Sequence, residues 1–157
     1  MIYNLYTKGD VDLKYIVSDL NGTLSIDGGL IDGVRERFDA LNKLGFQIYV
    51  LTGDIHGNAQ KLMANYACKI HVVDITEQYE TQVQQKLKFI ESPGADSVIA
   101  YGNGGNDALM LKAAAVGVHV CEREGGNVQA LLNSDVTVYS IQDGLDLLIH
   151  PKRIAGH

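Results

Sequence analysis

Cysteine is scarce in this chain of 157 residues, which has only Cys68 and Cys121. Two thiols make no disulfide framework. Each sits in an apolar, strand-like run, so both are expected as buried reduced thiols in a cytoplasmic protein. Positive charge is sparse too: 13 lysines and arginines against 19 aspartates and glutamates give a formal net charge of −6. No basic cluster exceeds Pro151-Lys152-Arg153. A nucleic-acid partner is therefore not expected, because phosphate contacts need clustered bases. No apolar run reaches the roughly 20 residues of a membrane span. Met1 to Lys8 also lacks the charged start and apolar stretch of a signal peptide. Gly102-Asn103-Gly104-Gly105-Asn106-Asp107 has no Gly-Lys-Ser/Thr ending, and Asp107 stands where a dinucleotide fingerprint ends in glycine. A chain this acidic must bind an anion locally, through a metal, a lysine or backbone amides.

What is present reads as an ordinary globular domain, 46% hydrophobic and 20% charged. Residues 2–6 and 11–17 flank Lys8-Gly9-Asp10 and predict a leading hairpin. Ser25-Ile26-Asp27-Gly28-Gly29 predicts a second turn, forming a small flap. Ile31, Val34, Phe38, Leu41 and Leu44 recur at helical spacing, and Gly45 ends that helix. Phe46–Leu51 is a strand, and a helix over 59–66 should turn Leu62, Met63 and Tyr66 inward. After a strand at 69–73, Thr76 caps a helix with a stripe of Val83, Leu87 and Ile90. Strands at 97–101, 116–121 and 136–139 alternate with helices through Ala114, at 128–132 and at 141–149. This alternation predicts an α/β fold, a parallel sheet covered on both faces, in one domain spanning 1–157.

The informative stretch is Tyr15-Ile16-Val17-Ser18-Asp19-Leu20-Asn21-Gly22-Thr23-Leu24. A β-branched run ends in a carboxylate and a turn, which places Asp19 at the crevice outside the carboxyl end of a parallel strand. Asp19-Leu20-Asn21-Gly22-Thr23 resembles the DxDGT signature of the haloacid dehalogenase (HAD) superfamily. Thr52, Lys86 (or Lys88) and the Gly102–Asp107 segment follow in the order of that superfamily's other motifs. The resemblance implies a three-layer Rossmann-like sheet with the Asp19 strand central and no cap domain. The pairing of DxNGT with GNGxND is similar to the soluble P-type ATPase-like subgroup, and Thr52-Gly53-Asp54 resembles the P-type ATPase phosphorylation domain.

Carried onto these positions, the resemblance implies a Mg²⁺-dependent phosphohydrolase that forms an aspartyl-phosphate on Asp19. Thr52 would hold a phosphoryl oxygen, and Lys86 would tie the phosphoryl group to Asp19. Leu20, Gly22, Thr23 and Gly53 would line the phosphate through backbone N–H groups. Asp19, the Asn21 carbonyl, Asn103 and Asp107 would hold Mg²⁺. Asn21 replaces the usual general acid–base and cannot exchange a proton at neutral pH. Hydrolysis should therefore be slow and favour good leaving groups on a phosphorylated small molecule or phosphoprotein. A non-catalytic phosphate- or metal-binding module is the alternative, and a homo-oligomer would shield a capless site. Asn21-Gly22 and Asn103-Gly104 are also deamidation-prone pairs whose conversion would restore both missing acids. His56 and His71 have no metal-ligand partner at a suggestive spacing.

Overall fold

The computed structural model describes residues 1–73 and 79–157, with side chains described for all of these except 79–81. In chain order, β1 (Ile2–Leu5) and β2 (Gly9–Asp12) form an antiparallel hairpin. β3 (Tyr15–Asp19) follows, then the short flap of β4 (Ser25–Ile26) and β5 (Gly29–Leu30), α1 (Val34–Lys43) and β6 (Gln47–Thr52). Next come α2 (Asn58–Leu62), β7 (Lys69–Val72), α3 (Tyr79–Glu91) and β8 (Val98–Gly102). A 3₁₀ turn at Gly105–Asp107 leads into α4 (Ala108–Ala113) and β9 (Val116–Val120). The chain closes with α5 (Val128–Leu132), β10 (Val136–Val138), α6 (Ile141–Ile149) and α7 (Pro151–Ile154).

Six of these strands form one parallel sheet in the order β10-β9-β8-β3-β6-β7. β3 pairs with β6 on one side and β8 on the other, so the strand order reverses direction at β3. In an open α/β sheet, this reversal opens a crevice at the carboxyl ends of the strands. Asp19 is the last residue of β3.

Burial on both faces follows from the strands' side-chain period of two. Ile16, Ile48, Val50 and Ile99 join Phe38, Leu41, Leu145 and Leu148 in one core, on the side of α1 and α6. Val17, Leu51, Val98 and Ala100 join Ile90, Met110 and Leu111 in a second core, on the side of α3 and α4. These two cores make the fold a three-layer α/β sandwich with the Asp19 strand central, as the sequence implies.

Several local expectations change. The hairpin turns at residues 6–8, so Gly9 and Asp10 belong to β2. The helix expected over 59–66 ends at Leu62, so Leu62 is 43% exposed while Met63 is buried. Both cysteines are half-buried rather than buried, because Cys68 precedes β7 and Cys121 follows β9. In α3, Val83 and Ile90 are buried and Leu87 is only half-buried. The cap expected at Thr76 lies outside the described residues. Among the described residues, no helix is long and apolar enough to cross a membrane.

Candidate active site

Three charged side chains from distant parts of the chain meet at the end of β3. Lys86 on α3 donates to Asp19 Oδ1 at 2.9 Å and to Asp107 Oδ1 at 2.7 Å. All three are withdrawn from water: the side chains of Lys86, Asp19 and Asp107 are 4%, 13% and 0% exposed. Lys86 falls on the buried face of its helix with Val83 and Ile90, three residues before it and four after. Lys88 projects into solvent and takes no part.

The loop of residues 103–107 folds around Asp107. Its Oδ2 accepts from the N–H of Asn103 at 3.1 Å and of Gly104 at 2.9 Å. Asp107 thus anchors the loop and holds Lys86 from behind. Burial pushes the Asp19 carboxyl up to about 7, the Asp107 charge adds to the rise, and Lys86 opposes it. For Lys86, burial works against the charged form, but the two carboxylates outweigh it and hold the ammonium above its ordinary value.

Asp19 opens onto a cavity of about 520 Å³ lined also by Asn21, Gly53, Asp54, Gln82, Lys86 and Asn103. Five of the residues singled out in the sequence therefore share this wall: Asp19, Asn21, Gly53, Lys86 and Asn103. Others stand behind it. Thr52 is buried at the end of β6, and its hydroxyl accepts from Asp54 N–H at 3.1 Å. Leu20 belongs to the core. The amides of Gly22 and Thr23 are not free to face an anion, because they donate to the Ser25 and Leu20 carbonyls at 2.9 and 3.3 Å.

The Thr23 hydroxyl donates to Asn103 Oδ1 at 3.2 Å, and Asn103 Nδ2 approaches the Gly125 carbonyl at 3.5 Å. Asn103 therefore links the loop after β3 to the loop after β9. Gly22, at φ 77°, lets the backbone pass so close that an added Cβ would collide with Asn103 Nδ2. The same geometry disfavours deamidation. Succinimide closure needs the following glycine nitrogen free, but Gly22 N–H is held by Ser25 and Gly104 N–H by Asp107.

Asp54 accepts from the N–H groups of His56 at 2.9 Å and Ala59 at 2.8 Å. These bonds hold its carboxyl below the ordinary range. It closes the turn after β6 while also lining the cavity. Gln82 was not singled out in the sequence, although it lies one helical turn before Lys86 and so on the same face. Asn106 and Gly104 were hidden within the Gly-rich segment.

The oxygen-bearing side chains lining the cavity are carboxylates and carboxamides. Among the described residues no group of three or more His, Cys, Asp or Glu side chains is placed to hold a metal ion. An all-oxygen set with few charges suits a hard divalent ion that keeps several waters, such as Mg²⁺, rather than zinc. Asp19 and the Asn103 amide oxygen are the side-chain atoms that could hold such an ion, with Asn21 on the same wall and Asp107 behind them.

Known proteins resemble this chain in part. Over 82 residues the chain is 39% identical to an uncharacterized protein of Methanocaldococcus jannaschii, covering 50% of this chain and 88% of that one. It is 30% identical over 101 residues to potassium-transporting ATPase ATP-binding subunit 1 of Nostoc sp., covering 64% of this chain. It spans only 14% of that subunit. The deoxy-D-mannose-octulosonate 8-phosphate phosphatase of Haemophilus influenzae, solved in a cobalt-bound form, superposes with a TM-score of 0.71 at 12% identity over 90% of both chains. Residues 3–115 match the haloacid dehalogenase-like hydrolase family, and the chain belongs to it.

Proposed function

We propose that this protein is a Mg²⁺-dependent phosphohydrolase that works through a covalent phosphoryl group on Asp19. The observation that carries it is the Lys86 ammonium shared between Asp19 and Asp107 at the mouth of β3. A carboxylate attacking a phosphate dianion needs its repulsion screened, and a buried fixed cation beside it lowers that barrier. Bound Mg²⁺ would supply Lewis-acid neutralisation of the phosphoryl oxygens, held by Asp19, the Asn21 carbonyl and Asn103; Asp107, expected from the sequence as a fourth ligand, is buried with both oxygens bonded to Lys86 and the loop and would add its charge from behind. The cobalt-bound state of the Haemophilus phosphatase supports a divalent cation here.

In the first step an Asp19 carboxylate oxygen bonds to phosphorus as the ester P–O bond breaks. The departing oxygen takes its proton from water, since Asn21 has none to give. In the second step water attacks the phosphoryl group, releases phosphate and restores the carboxylate. Lys86 keeps the attacking oxygen and the phosphoryl group together, and Asp107 holds Lys86 in place. General acid–base help is worth about 10²–10⁴ in rate, so its absence makes both steps slow and favours good leaving groups.

The test is phosphate release from a panel of monoesters with Mg²⁺, comparing wild type with Asp19→Asn, together with intact mass. Turnover or a mass gain of one phosphoryl group in wild type, absent in Asp19→Asn, is expected. Mg²⁺ and phosphate binding with no turnover on any ester would instead mark a non-catalytic module. Cytoplasmic location, an uncapped single domain and a homo-oligomer belong to the same proposal. Size-exclusion light scattering reads the last of these.

A further inference from the structure

The charges around the cavity define what can accompany the phosphoryl group. Lys86 is the one cation among the described residues lining it, and it is already committed to two carboxylates. Asp19 and Asp54 line the wall, with Asp107 directly behind Lys86. Asp54 stays ionised because two backbone N–H groups hold it. With Asp19 ionised, three carboxylates against one ammonium leave two net negative charges. A divalent cation cancels these, and a phosphoryl dianion restores them. Any second anion on the ligand therefore enters a negative field with no free base to meet it among the described lining residues.

The rest of the wall is neutral and polar. Asn21, Gln82 and Asn106 bring three carboxamides with donors and acceptors suited to hydroxyl groups, while the Asn103 amide is engaged with Thr23 and Gly125. A volume of about 520 Å³ admits a small molecule. We propose that the cavity selects phosphate monoesters whose leaving group is uncharged and hydroxylated, and turns away polyphosphates and phosphorylated acids. This class rests on the phosphohydrolase function proposed above. It separates the chain from the ATP-binding subunit it resembles, because a nucleoside triphosphate would bring further negative charge to the same wall.

The experiment is a calorimetric titration of the full chain, with and without Mg²⁺, using sorbitol 6-phosphate, 6-phosphogluconate and ADP. The first two differ chiefly by one carboxylate at the far end. Sorbitol 6-phosphate is expected to bind about tenfold more tightly than either of the others at low ionic strength, with the gap narrowing as salt is added. Gln82→Lys places a base on the wall and is expected to close most of that gap by strengthening 6-phosphogluconate. Equal affinities in wild type, a gap that Gln82→Lys leaves intact, or binding of neither sugar phosphate overturns the proposal. Phosphate release is followed in parallel. A binding gap without turnover keeps the ligand class and removes the catalytic function, whereas turnover without a gap does the reverse.

Discussion

Replacing Lys86 with methionine keeps much of the side chain's bulk and deletes the charge that two carboxylates share. Removing one partner from a buried ion pair costs about 3–5 kcal/mol. Lys86 is almost fully buried and bonded at 2.9 and 2.7 Å, so a loss of about 3 kcal/mol at pH 8 is expected. That is a large share of a domain's total of about 5–15 kcal/mol. The loss should depend on pH in a fixed direction. With Lys86 present, the Asp19 carboxyl already sits at about 7, raised by burial and Asp107. Without it, the Asp19 carboxyl loses the charge that opposes this rise. An acid whose folded value exceeds its unfolded value of about 3.9 contributes stability that is complete below the unfolded value and lost as pH climbs through the folded one. The deficit of Lys86→Met should therefore shrink by more than half at pH 5. Urea unfolding at pH 5, 6.5 and 8 measures this, and adding Asp107→Asn should recover at least half of the loss at pH 8. A deficit below about 1 kcal/mol at pH 8, or one that does not widen with pH, would show that the three groups are not electrostatically coupled.

Further outcomes follow from the same geometry. Asn21→Asp supplies the missing acid–base and should raise turnover of alkyl phosphates about 10²-fold, with little change for aryl phosphates of good leaving group; equal effects on both would refute the assigned slow step. Carbon-13 NMR of the metal-free protein should find Asp19 titrating near pH 7, with stability falling as pH rises from about 4 to 7; an ordinary titration below 5 would contradict the site's electrostatics. Gly22→Ala must adopt φ 77° against Asn103 and should cost about 2 kcal/mol, lowering Tm by roughly 4–8 °C in differential scanning calorimetry. Peptide mapping of aged protein should find Asn21 and Asn103 intact; conversion at either would mean the glycine amides are freer than their hydrogen bonds indicate.

The sheet and the placement of Asp19 were legible because β3 carries its own signal, the apolar run Tyr15-Ile16-Val17 followed by Ser18 and a carboxylate. Lys86 was legible only through the order of the motifs, with Lys88 left open. The structure decides between them because Lys86 shares the buried helix face with Val83 and Ile90 while Lys88 is exposed. The role of Asp107 as holder of both the loop and Lys86 was not legible, since it depends on how the 3₁₀ turn points its two oxygens. The Gly22 and Thr23 amides misled because a Gly-bearing loop suggests an anion cradle, while here the loop closes on Leu20 and Ser25. Leu62 misled because periodicity does not show where a helix stops. The half-burial of both cysteines turns on each strand ending one residue short of the thiol.

The position of β3 between β6 and β8 also has kinetic weight. Tyr15 lies opposite Gln47 on one side and Val98 on the other, so the central ladder joins segments about 80 residues apart in the chain. Such distant pairings form late and slowly. Neither the hairpin nor any early helix holds more than one of Asp19, Lys86 and Asp107. During refolding, ligand binding should therefore return only with the slowest phase of secondary-structure recovery, which makes the site a reporter of completed sheet assembly.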